Sequence, residues 1–167
     1  MKTPPVLTAA EVAAQASVEA PVEASISQVD TAFLESLMGY NTRRASLAII
    51  EHFLREMAVF DLRPVDFSVM SLIVHNPGIT SRQLCTTLGL LPPNLVGMLN
   101  HLQKRALLER RAHPTDGRAL GLHPSAKGRQ MMLAAEQTAA RLEADATAGL
   151  TAAEAKTLRK LLQKIYL

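Results

Sequence analysis

Between residues 31 and about 59, apolar side chains recur at three- and four-residue steps: Phe33, Leu34, Leu37, Met38, Ala45, Ala48, Ile49, Phe53, Leu54 and Met57. That period predicts one long amphipathic helix, capped by Asp30 or Thr31 and bending near Gly39. Leu62-Arg63-Pro64 stops and restarts the chain, with Pro64 suited to a first helical turn. A second helix is expected from Val65 to about His75, with Phe67, Met70, Leu72, Ile73 and Val74 mostly inward. Asn76-Pro77-Gly78 breaks it.

The pattern then changes scale. Thr80 and Gln83 have capping-box spacing, so a short helix starts there, directs Leu84 and Leu88 inward and ends at Gly89. A further helix begins at Pro92. Leu95, Met98, Leu99 and Leu102 hold its i, i+3, i+4, i+7 stripe, while Asn94, Gly97, Asn100, His101, Lys104 and Arg105 form the opposite face. Leu107 to Arg111 and Ala119 to His123 read as two short strands around a polar turn containing Pro114 and Gly117. Helix, corner, helix and β-ribbon in that order make a shape suited to DNA grooves.

Ser125 can cap the next helix, expected to run to about Ala148 on Met131, Met132, Ala135, Thr138, Leu142 and Ala146. Gly149 ends it, and Thr151 with Glu154 opens a last helix carrying Leu158, Leu161, Leu162 and Ile165. Residues 1–30, rich in Ala, Val, Glu, Ser and Pro without lasting period, bury too little to offset their ordering entropy. They are expected to be a flexible tail.

Charge sharpens the picture. The net charge is +3, but the first thirty residues carry about −3, leaving about +6 for the rest. Arg82, Lys104, Arg105, Arg110, Arg111, Arg118, Lys127 and Arg129 face only Glu109 and Asp116 between 79 and 129. Such a patch attracts polyanions. The single cysteine, Cys85, excludes an intramolecular disulfide, and no ligand spacing among the 5 histidines suggests a metal site. No apolar run is long enough to span a membrane, and Pro4-Pro5 and Glu11 spoil a signal peptide. The expected location is cytoplasmic, with no membrane partner. Neither a nucleophile–base pairing nor a phosphate loop is present, so no catalytic residue, cofactor or enzymatic activity is expected.

From about residue 31 to 167 the chain resembles the MarR family of winged-helix regulators, most strongly from Leu62 to Gly128. Leu62-Arg63-Pro64-Val65-Asp66-Phe67 is similar to the start of the family's second helix. Leu88-Gly89-Leu90, Pro92, and Leu102 through Lys104, Arg105, Leu107, Glu109 and Arg110 follow its helix-turn-helix and first wing strand. Asp116-Gly117-Arg118 matches the wing motif, and Gly128 falls where the family has a glycine. Four residues depart. Leu91 replaces a capping serine or threonine, Gly97 replaces a polar base-facing residue, and Ala106 replaces a helix-ending glycine. Pro124 interrupts the end of the second wing strand.

The resemblance implies a mostly α fold (α+β winged helix) with a DNA-binding lobe over about 62–124. Dimerisation helices are expected at about 31–60 and 125–166. It also implies a homodimer on double-stranded DNA carrying an inverted repeat, acting as a repressor released by a small aromatic or carboxylate ligand. Asn94, Asn100 and His101 are the candidates for base edges, since Asn pairs in two directions with adenine, and Val96 for a thymine methyl. Pro93 and Gly97 lie on the same surface. Ser81, Arg82, Gln83, Lys104, Arg105 and Arg111 are expected nearer the phosphates. His113, Thr115 and Asp116 would belong to the wing, with Asp116 orienting Arg118 into the minor groove. Tyr40, Asn41, Arg43, Arg44, His52 and Phe60 are the candidates for ligand contact, an arginine fork suiting a carboxylate. Two alternatives stay open: a winged helix working through protein contacts without operator reading, and a thiol-responsive regulator using Cys85. Cys85, between Leu84 and Leu88, is expected to be partly buried.

Overall fold

The computed structural model describes residues 29–112 and 120–167. The chain divides into two compact units, Met1–Leu37 and Met38–Leu167. In the first, a single helical turn α1 spans Ala32–Glu35. Thr31 occupies its N-cap position, and the Asp30 carboxylate accepts from the Ala32 amide at 2.9 Å. The long helix expected over 31–59 is interrupted here, at Ser36–Leu37 and not at Gly39. The Ser36 hydroxyl donates to the Phe33 carbonyl at 2.7 Å, and a serine bonded this way offers the backbone an alternative to continued helix.

The second unit opens with α2 (Met38–Met57), followed by a 3-10 turn over Ala58–Phe60. Asp61, left-handed at φ 49°, reverses the chain into α3 (Pro64–His75). Pro64 fills the first turn as expected. Asp66, buried beneath it, accepts from the Arg63 guanidinium at 2.7 and 3.1 Å and from the Arg63 amide at 3.3 Å. The hydrogen bond to Asp66, and then its charge, raise the Arg63 pKa above its ordinary value.

A two-residue strand β1 (Ile79–Thr80) leads into α4 (Ser81–Leu88) and α5 (Pro92–Lys104). Then come β2 (Leu108–Ala112), β3 (Leu120–Pro124), α6 (Ala126–Ala146) and α7 (Ala152–Tyr166). The first wing strand begins one residue later than its pattern suggested. The reason is Ala106, left-handed at φ 57°: Leu107 donates to the Leu102 carbonyl at 3.1 Å and Ala106 to that of Gln103 at 2.9 Å. That is a Schellman closure, which glycine usually completes, so alanine here stores about 1 kcal/mol of strain.

The sheet is antiparallel in the order β1-β3-β2, with Arg110 opposite Leu122 and Thr80 opposite Gly121. β1 was not foreseen; two residues are too few to show a period. Pro124 ends β3 without ending the pairing, because Ser125 donates to the Leu107 carbonyl at 3.0 Å in its place.

The core is apolar and continuous. Met57, Val69, Met70, Ile73, Leu84, Leu102, Leu122 and Met132 are fully enclosed. Phe53 meets Phe67 edge to face at 5.7 Å. In contrast, α7 buries no residue, and Leu161, Ile165 and Tyr166 stand exposed on it. Among the described residues no helix is long and apolar enough to cross a membrane.

Two predictions follow from this packing. A Cβ on Gly128 would lie 2.0 Å from the Leu107 carbonyl oxygen, which is backbone and cannot step aside. Gly128→Ala should lower the unfolding free energy by about 3 kcal/mol, read as a lower urea midpoint at unchanged m-value. At the start of α7 the Thr151 hydroxyl (2.7 Å) and amide (2.8 Å) both donate to Glu154 and hold its carboxyl below the usual glutamate range. A lowered folded-state pKa gives stabilisation present above the unfolded value and lost as pH falls through the folded one. Protection of the α7 amides, relative to their intrinsic exchange rate at each pH, should therefore fall on acidification, and Thr151→Ala should return the Glu154 titration toward its ordinary position.

Candidate nucleic-acid interface

Helix α5 has two faces with separate tasks. Leu95, Met98, Leu99 and Leu102 are all buried, as the stripe requires. Asn94, Gly97, Asn100, His101 and Lys104 are exposed along the opposite face, and Val96 is half open beside them. The stability of the helix thus comes from residues that need no partner outside the chain, which leaves the outer face free to meet one. Leu91 gives no side-chain cap, and Pro92 starts the helix with its fixed φ. Lys104 and His101 sit in the last turn, where positive charge favours the helix dipole.

The first helix of the pair, α4, is built as the spacing implied. Thr80 accepts from the Gln83 amide at 3.3 Å and the Gln83 side chain accepts back from the Thr80 amide at 2.9 Å. Gly89 closes the helix at φ 63°. Ser81 and Arg82 are exposed at its start; the Gln83 side chain is committed to the cap. Cys85 is half-buried, as expected, and with Ser81, Arg82, Pro92, Leu95 and Val96 lines a cavity of about 420 Å³ between the two helices.

Two basic residues are used otherwise than their spacing suggested. The Arg105 guanidinium, expected near phosphates, turns inward: it donates to the carbonyls of Asp61 at 2.5 Å and Phe60 at 2.7 Å. Only 22% of that side chain stays exposed. Arg111 is exposed but paired with Glu109 at 2.9 Å, both lying on one face of β2. Residue alternation sends Arg110 to the other face, where it donates to the Asn100 side-chain oxygen at 2.9 Å. Arg110 was not among the expected contacts; counting the strand in steps of two would have placed it beside α5. The expected wing contacts His113, Thr115, Asp116 and Arg118 lie outside the described residues.

The six residues singled out for a ligand do not converge. Tyr40 and Phe60 are separated by about 30 Å of helix axis. His52 accepts from Arg55 through Nδ1 at 2.8 Å, and Phe60 packs against the core. Arg43 and Asn41 do line apolar grooves between α2 and α7. One, of about 730 Å³, includes Arg43, Leu162 and Ile165; the other, of about 360 Å³, includes Asn41, Ile49 and Leu158. Tyr40, Arg44, His52 and Phe60 line neither.

Comparison with known proteins agrees with this geometry. The MarR family profile matches residues 60–119. The chain is 36% identical to the transcriptional repressor CouR solved on a 23-mer DNA duplex, over 84% of this chain and 100% of that one, with a TM-score of 0.79. It is 34% identical to CouR solved with p-coumaroyl-CoA, over 83% of this chain and 97% of that one, with a TM-score of 0.73. A transcriptional regulatory protein assigned to the hcr operon of Thauera aromatica is 26% identical over 147 residues, covering 87% of this chain and 89% of the relative.

Gly97 sets a test of the two-face arrangement. A Cβ there would meet nothing within 4 Å, so no packing contact inside the chain demands glycine. Gly97→Ala should raise the unfolding free energy by about 1 kcal/mol, measured by urea denaturation.

Proposed function

The chain belongs to the MarR family and is a transcriptional regulator of that type, and from this premise we propose that it is a dimeric, sequence-specific repressor released from DNA by a small ligand. The observation that carries the reading is the exposed polar face of α5, beside β2, on a helix whose inner face is wholly buried. A helix of this kind laid in the major groove reaches a few base pairs, and a two-fold dimer doubles the reach over half-sites about one turn apart.

In this reading Asn94, Asn100 and His101 face base edges, and Val96 faces a thymine methyl. Asn100 is already held by Arg110, which fixes its amide before any base arrives. Ser81, Arg82 and Lys104 approach phosphates. Arg111 joins them by exchanging Glu109, an exposed pair that costs little to open. Pro93 and Gly97 let the helix start and middle lie close to the duplex. His113, Thr115, Asp116 and Arg118 complete the contact from the wing, with Arg118 in the minor groove. The second subunit covers the apolar surface of α2 and α7, including Leu47, Leu54, Leu161 and Ile165.

For the ligand, the relative solved with p-coumaroyl-CoA favours an aromatic acid or its thioester. The grooves between α2 and α7 supply apolar walls, and Arg43 supplies a fork for an acidic group. Release requires the ligand to bind the DNA-incompetent dimer more tightly than the competent one.

The test is selection of duplexes from a randomised pool, followed by binding at several salt concentrations with and without p-coumaroyl-CoA. An enriched inverted repeat bound as a dimer is expected. Lys104→Ala should weaken all sequences alike and flatten the log–log salt slope by about one. Asn100→Ala should cost about 1–3 kcal/mol and relax preference at one base pair in each half-site. A chain that enriches no sequence would end the proposal.

A further inference from the structure

Helix α5 has to be aimed as well as built, and its two ends are treated unequally. Its first turn has no side-chain cap. Its last turn is tied into the chain from three directions. Lys127 donates to the Arg105 carbonyl at 3.0 Å, and Ser125 donates to the Ala106 carbonyl at 2.7 Å. The third tie is Arg105 itself, whose two terminal nitrogens reach the carbonyls of Phe60 and Asp61 at the foot of α2. Each end of that tie lies at or beside a non-glycine residue in left-handed backbone: Asp61 at φ 49°, and Ala106, next after Arg105, at φ 57°. Such conformations persist only where the surroundings hold them, so each end is a fixed point.

We infer that Arg105 is the positioning residue that sets the angle of the recognition helix against the end of α2, and that it contacts no DNA. The fork geometry matters. A planar guanidinium satisfies two carbonyls on successive residues at once, fixing direction as well as distance. Since Phe60 and Asp61 close the 3-10 turn that directly follows α2, the helix that the proposed function packs against the second subunit, a displacement of α2 would be handed through that turn to α5. The inference rests on that reading for its DNA partner, and on this chain's own hydrogen bonds for the rest.

The test uses the full-length chain, a duplex selected from the random pool and an unrelated duplex of equal length. Arg105→Ala should weaken binding to the selected duplex at least tenfold and change binding to the unrelated one less than twofold. The salt slope should match that of the wild type, because no phosphate contact is lost. Arg105→Lys keeps the charge but can satisfy only one carbonyl at a time, so it should fall between the two. Equal weakening on both duplexes with a slope flatter by about one would make Arg105 a phosphate contact and overturn the inference. So would unchanged binding, or unfolding of both variants, which would mark the residue as purely structural. A wild-type chain that selects no sequence removes the proposed function and this inference with it, whereas sequence selection with an indifferent Arg105→Ala removes the inference alone.

Discussion

A hydrogen atom is all that fits between the backbone of residue 128 and the carbonyl of Leu107. That close approach lets the start of α6 rest directly on the turn between α5 and β2. Ser125 works on the same spot, its amide bonding Leu107, its hydroxyl bonding Ala106 and accepting from the Gly128 amide at 2.9 Å. Four elements meet here: the end of α5, the beginning of β2, the last residue of β3 and the first turn of α6. Helix α5, the strands β2 and β3 and the helix leading to α7 therefore share one rigid corner. Interiors packed at crystal density pass displacement along with little slack, and such a corner transmits motion of one element to the others.

Apolar burial and exposed polar surface are kept on separate residues of α5. The buried stripe of α5 and the enclosed side chains of α3 and α6 supply the apolar burial, at roughly 25 cal/mol per Å² removed from water. The polar outer face contributes little to that sum. The exposed ion pairs near it, such as Arg111 with Glu109 on β2, are each worth at most about 1 kcal/mol. A partner polyanion can displace them at small cost. The tightly held arginines, Arg63 on buried Asp66 and Arg105 on two backbone carbonyls, are structural ties and not a reserve of positive charge. The basic patch counted along the chain is thus larger than the one presented to a partner.

The α7 segment stands apart. It is well capped by Thr151 and Glu154, yet buries no side chain. A helix of fifteen residues is marginal in water by itself, and most helical stability in proteins comes from packing an apolar face. Leu158, Leu161, Ile165 and Tyr166 provide that face without a cover in the single chain. On the proposed reading a second subunit supplies it, and folding of α7 and assembly are one process.

What the sequence determined by itself is local. Capping pairs three residues apart, Pro64 and Pro92 at helix starts, Gly89 at a helix end and the stripe of α5 each rest on contacts within a turn or two, so their spacing spells them out. The family resemblance and the exposed polar face of α5 followed from the same local signals. Three matters were decided only in three dimensions: the strand Ile79–Thr80, the partner of Arg105 and the pairing of Arg110 with Asn100. The break at Ser36 is local, one side chain bonding a carbonyl three residues back, but leaves no mark in the apolar spacing; the strand exists only because β3 lies beside it. The destination of Arg105 lies more than forty residues away in the chain. A long flexible cation looks the same in sequence whether it points at solvent or at a neighbour's carbonyls, because its direction is chosen by which acceptors the fold brings within reach.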